Sequence, residues 1–145
     1  AAVAAGEHAL ALELAPEMIR SMRDLGQRQY LLVTCYDVAR AGLATGQLEA
    51  TRIALAEALP LAWEFNEVKE FLGPLAHLAA RRGLVADATR LSGYVQALGS
   101  AAPEAAVELC RAAMEPSTFH YLTRSGTALS SEACRELAVR VLAAS

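Results

Sequence analysis

Three glycines set the frame of this chain. Gly6, Gly46 and Gly83 each open a stretch with the same order of small and apolar residues, at intervals of 37 to 40 residues. From Gly6 the pattern reads Ala11, Leu14, Ala15, Met18, Met22 and Leu25; from Gly46 it reads Thr51, Ala54, Leu55, Ala58, Ala62 and Phe65; from Gly83 it reads Ala88, Leu91, Ser92 and Val95 before it fades. Steps of three and four mark the buried stripe of an amphipathic α-helix. A fixed period of this size predicts stacked helical hairpins, because a single hairpin cannot bury its own apolar face.

Composition supports helices. Alanine fills about a fifth of the 145 residues, well above ordinary usage, and it is the best helix former because it loses no side-chain entropy. β-Branched and aromatic residues are sparse, which argues against strands. The fold expected is all-α, an α-α array of stacked hairpins with about eight helices and a C-terminal helical cap. Residues 1–99 are expected to hold the degenerate repeats and residues 100–145 the capping helices of the same domain.

The helices expected run from about Glu7 to Leu25, Gln29 to Ala44, Leu48 to Phe65, Val68 to Arg82 and Val85 to Leu98. Gly26 and Asn66 stand at equal distances after Gly6 and Gly46 and suit left-handed caps. Pro16 and Pro60 should kink their helices, and Gly73-Pro74 should interrupt the fourth. Beyond Gly99, Pro103 and Glu104 start a helix that Pro116-Ser117 should break. A short helix over Thr118 to Arg124 should end at Ser125-Gly126. Ser130 then caps a last helix whose stripe is Cys134, Leu137, Ala138, Val141 and Leu142.

These residues resemble the tetratricopeptide-repeat superfamily, which sets small residues where paired helices cross. Ala39, Thr51 and Ala58 stand at those places in the second unit, and Ala76, Ala88 and Val95 in the third. Cys35 and Leu72 occupy the positions where that consensus has large aromatics. The run Ala88-Thr89-Arg90-Leu91-Ser92-Gly93, then Ala97-Leu98-Gly99, and later Gly126-Thr127-Ala128-Leu129-Ser130-Ser131-Glu132 is similar to the C-terminal end of large bacterial transcriptional regulators. Those proteins join a DNA-binding domain, an ATPase module and a helical-repeat sensor; some bacterial cyclases and kinases carry the same tail. The resemblance implies a non-catalytic protein-interaction or effector-sensing module with upstream domains in the same chain. The chain begins inside a repeat, which leads to the same expectation of a longer protein. The alternative function is a small-molecule-binding or enzymatic helical domain with a pocket under its C-terminal helices.

Several chemistries find no support in the residues. No phosphate-binding G-x-x-x-x-G-K-[ST] run occurs. The net charge is −3 and the basic residues are scattered, so no stripe exists to neutralise nucleic-acid phosphates. His8, His77 and His120 share no metal-ligand spacing, and neither a metal nor a cofactor is expected. Cys35, Cys110 and Cys134 are isolated and odd in number, which reads as three small buried hydrophobes in a reducing cytoplasm. No apolar run approaches the roughly 18 to 20 residues that cross a bilayer. Nearly every basic residue is Arg, with Lys69 the exception, a bias that points to a bacterial source.

The binding strip expected follows from repeat register. In such arrays the first helix of each hairpin lines a groove. Tyr36, Arg40, Glu70, His77 and Arg81 fall on that face, with Val33, Leu43, Ala44, Gly73 and Ala80 beside them. Arg and Tyr are residues that interfaces favour, so a protein or peptide partner, or a small effector, is expected there. Self-association is left open; nucleic acid and membrane are not expected as direct partners. Phe119, His120 and Tyr121 form a second aromatic cluster, placed to plug the end of the array or to bind.

Overall fold

The chain forms eight α-helices and no strand among the described residues, and a left-handed glycine or asparagine follows each of the first five. The computed structural model describes residues 2–145, and side chains from residue 6 onward. The helices are α1 (Ala2–Asp24), α2 (Arg28–Thr45), α3 (Leu48–Glu64), α4 (Lys69–Arg81), α5 (Val85–Ala97), α6 (Glu104–Ala112), α7 (Pro116–Thr127) and α8 (Ser131–Ala144). They divide into two compact units, one running to Phe71 and one from Leu72 onward.

The stops work as the sequence predicts. Gly26 has φ 69° and Asn66 has φ 57°, both left-handed. That conformation lets the chain turn back on the last helical carbonyls. At Gly26 the Gln27 amide donates to Met22 O at 2.9 Å and the Gly26 amide to Arg23 O at 3.1 Å; at Asn66 the Glu67 amide donates to Ala62 O at 2.8 Å. The same reversal recurs after α4 and α5, where the Leu84 amide donates to Ala79 O and the Ser100 amide to Val95 O.

Four expectations about the breaks are corrected. Helix α1 runs unbroken through Gly6, although the repeat places its start at Glu7; Gly6 takes no positive φ. Helix α4 continues through Gly73-Pro74. A proline disfavours helix at the preceding residue through that residue's Cβ, and Gly73 has none. Pro116 starts α7 instead of only ending α6, sitting at the first turn where its missing N–H is harmless, and α7 passes through Ser125-Gly126 to Thr127.

In the first unit α2 packs against α1 and α3. Its crossing with α3 is drawn tight by small residues. Ala39, Thr51, Ala54 and Ala58 are fully buried, and the Thr51 hydroxyl donates across the crossing to Ala39 O at 2.9 Å. A Cβ on Gly42 would overlap Thr51 Oγ1 and the Gln47 carbonyl, so that glycine is what allows the approach. Replacing Ala58 with Leu, or Ala88 of the second unit, which is equally buried, is expected to lower stability by about 1 to 3 kcal/mol through overpacking; a thermal melt of each variant checks this. Across the surface, Arg23 Nε pairs with Glu57 at 2.7 Å and Arg28 with Glu64 at 3.3 Å.

The repeat stripe is less completely buried in α1 than in α3. Ala15 and Ile19 are buried, but Leu14 is 43% exposed, Met18 39% and Leu25 69%. Helix α1 buries only one flank, so the residues on the other flank, with Leu10, face solvent.

From Phe71 to Ala80 every residue except His77 is buried. The second unit is organised around α5, which packs against α6, α7 and α8. Its contact with α7 brings backbone onto backbone: a Cβ on Gly93 would overlap the Thr123 carbonyl, and one on Gly126 would overlap the Arg90 carbonyl. Helix α8 begins as expected, with Ser130 Oγ accepting the Ala133 amide at 3.1 Å, and Cys134, Leu137, Ala138 and Val141 are buried. Asp87 of α5 holds Arg90 and Arg140, each at 3.3 Å.

Candidate functional site

The helical spacing of Tyr36 and Arg40 sets them one turn apart on α2, and the structure brings them together. The Arg40 guanidinium carbon lies 5.6 Å from the Tyr36 ring centroid. Phe71 meets the same ring edge-on, with centroids 5.8 Å apart and planes at 85°. Tyr36 is half-buried and Arg40 exposed, so a braced ring holds a cation at the surface. Such contacts contribute about 0.5 to 1 kcal/mol at exposed sites. Val33 and Ala44 of the same predicted face are exposed and Leu43 is buried; Glu70, in the first turn of α4, is exposed.

His77 and Arg81 form the second pair, one turn apart on α4. His77 is half-buried and Arg81 exposed. Burial, and secondarily the charge on Arg81, lowers the His77 pKa below its usual 6.5, so the imidazole is neutral at pH 7 beside a cation. Gly73 and Ala80 are buried and present no side chain to a ligand. The predicted strip therefore resolves into two cationic pairs, Tyr36–Arg40 in the first unit and His77–Arg81 in the second.

The aromatic cluster of α7 comes apart. Successive helical residues point about 100° away from each other, and Phe119 turns toward α6 while His120 and Tyr121 turn outward. The Arg111 guanidinium carbon stands 5.1 Å from the Phe119 ring centroid. His120 and Tyr121 line a separate shallow concavity with Ser117, Arg124 and Ser125.

Phe119 and Arg111 belong to a cavity of about 290 Å³ between α5, the segment 100–102, α6 and α7. Ser92, Gln96, Ser100 and Thr123 supply its polar lining. Two of these hydroxyls are already engaged as donors, Ser92 to Ala88 O and Thr123 to Phe119 O, both at 2.9 Å. Sequence reading allowed for a pocket under the C-terminal helices but assigned it none of these residues apart from Phe119. Gly93 and Gly126 sit inside helices, where glycine is unfavourable without a packing reason, and each neighbours a serine. In the first unit an apolar groove of about 330 Å³ runs between α1 and α3, lined by Leu12, Pro16, Ile19 and Ile53 among others.

The three thiols are free and buried. Burial pushes Cys35 up to about 12 and Cys134 up to about 11, and raises Cys110 as well. Such thiols are poor nucleophiles at neutral pH. Among the described residues no group of three His, Cys, Asp or Glu side chains converges to hold a metal, and no described helix is long and apolar enough to cross a membrane. Comparison with protein-family models, with curated proteins and with solved structures found no match.

Proposed function

We propose that this chain is a non-catalytic recognition module, a degenerate tetratricopeptide-like array that serves as the sensing or protein-interaction part of a cytoplasmic bacterial regulator. The observation that carries the reading is the Tyr36–Arg40 pair. Phe71 braces the ring and the ring orients the guanidinium, so a partner finds a cation and an apolar face already in position, and little ordering entropy is lost on binding. Arg40 would fork onto a partner carboxylate while Tyr36 supplies apolar area. His77 and Arg81 offer a second cationic contact, and Glu70 an acidic one. A photo-crosslinking residue placed at Tyr36 in the full-length protein in cells should capture a discrete partner, and Arg40→Ala should abolish that adduct. Arg40 is exposed, so Arg40→Ala should lower stability by no more than about 1 kcal/mol, the loss of its contact with the Tyr36 ring. A Tyr36 crosslinking pattern identical to that from the exposed control position Val139 would sink the proposal.

The cavity beneath α5, α6 and α7 favours a second reading, a helical domain that binds a small molecule under its C-terminal helices. Its volume stands at the small end of ligand pockets. The two readings join if the small molecule is the effector that the module senses.

A further inference from the structure

The lining of the cavity under the C-terminal helices is chemically one-sided. Arg111 is its cation and none of its lining residues is acidic. Among the described residues no carboxylate pairs with the Arg111 guanidinium, whose recorded contact is the Phe119 ring. The guanidinium lies over the ring. An aromatic ring accepts no forked hydrogen bond, so the guanidinium N–H groups remain available for one. The contact with the ring also restrains the side chain, which lowers the ordering entropy of capture. Because Ser92 and Thr123 spend their hydroxyl protons on their own helices, the other side-chain donors are Gln96 and Ser100. The remaining wall is apolar: Ala101, Ala102, Val107 and Phe119.

From this the geometry points to a small apolar carboxylate as the ligand of the cavity. Its carboxylate lies on Arg111 with Gln96 or Ser100 as a further donor, and its short hydrocarbon body lies against Val107, Ala101, Ala102 and Phe119. A planar carboxylate matches the guanidinium fork. One cation with few neutral donors suits a single negative charge better than a doubly charged phosphate. The apolar wall excludes highly hydroxylated ligands, whose polar groups would be left unpaired there. The volume of about 290 Å³ restricts the body to one ring or a short chain. This inference rests on the second reading above, that the cavity binds a small molecule.

Hexanoate and phenylacetate, with their neutral counterparts hexanamide and phenylacetamide, test it by calorimetry and by amide chemical-shift mapping on the whole chain. At least one acid should bind saturably and shift resonances of Ser92, Gln96, Ser100 and Thr123. Its amide should bind at least tenfold more weakly. Arg111→Met retains a side chain over Phe119 but removes the charge, and it should weaken the acid at least tenfold. Arg124→Met, on the outward side of α7, should leave binding unchanged. Amides that bind as tightly as the acids, or an Arg124→Met loss equal to that of Arg111→Met, would overturn the carboxylate assignment while leaving the cavity a binding site. If neither acids nor amides shift the cavity resonances at millimolar concentration, the small-molecule reading itself fails, and the carboxylate with it.

Discussion

Gly126→Ala is expected to lower the stability of the protein by about 3 kcal/mol, the upper end for an overpacked contact. The added Cβ would land on the Arg90 carbonyl oxygen and its bonded carbon. A side chain in that position could rotate away; a backbone carbonyl inside α5 cannot move without carrying its helix. Gly93→Ala meets the Thr123 carbonyl in the same way and should behave alike. Gly6→Ala is the internal control, since a Cβ there meets nothing within 4 Å and alanine is the better helix residue. Urea unfolding followed by far-ultraviolet circular dichroism reads all three. An unchanged midpoint for Gly126→Ala would mean that α5 and α7 do not touch as described.

The second large effect is alkaline destabilisation through the buried thiols. In the unfolded chain Cys35 and Cys134 ionise near their ordinary value of 9.0, whereas burial holds them up to about 12 and about 11 in the fold. For Cys35 the charge of Glu57 adds to burial and Arg23 partly offsets it. A group whose folded pKa is raised contributes its full stability below the unfolded value. That contribution shrinks as pH climbs from 9.0 toward the folded value, because only the unfolded chain gives up the proton. Within that window stability should fall by roughly 1.4 kcal/mol per thiol for each pH unit. Unfolding free energies measured from pH 8 to 10.5 should decline, and the decline should flatten in the Cys35→Ala/Cys134→Ala double variant. Equal slopes for the two proteins would place these thiols in contact with water.

The helices were legible because their signals are local. Glycine or asparagine after an apolar stripe fixed the ends of α1 and α3, and Ser130 fixed the start of α8. What failed depended on a neighbour's chemistry. Pro74 reads as a break until the missing Cβ of Gly73 is counted. Gly126 reads as a stop until α5 is seen to lie against it. The stripe of α1 has the right period, yet period does not say which flank finds a neighbour, and Leu14, Met18 and Leu25 remain exposed. In the expected strip, one-turn spacing sets Tyr36 beside Arg40 on α2 and His77 beside Arg81 on α4. A pocket under the C-terminal helices was an open alternative, but its lining was not legible, because Ser92, Ser100, Arg111 and Phe119 come from four segments and meet only through tertiary packing.

The meeting of Gly93 and Gly126 has a bearing on the cavity that lies beside it. Ser92 and Thr123, two of its lining residues, adjoin that contact in the chain or in space. Most pockets breathe, because the side chains that narrow them hop between rotamers in picoseconds to nanoseconds. Here the separation of α5 and α7 is a main-chain dimension, and it widens only if the two helices part. The floor of the cavity is thus of fixed depth, while its mouth, where Gln96, Ser100 and Arg111 are exposed, stays open to solvent.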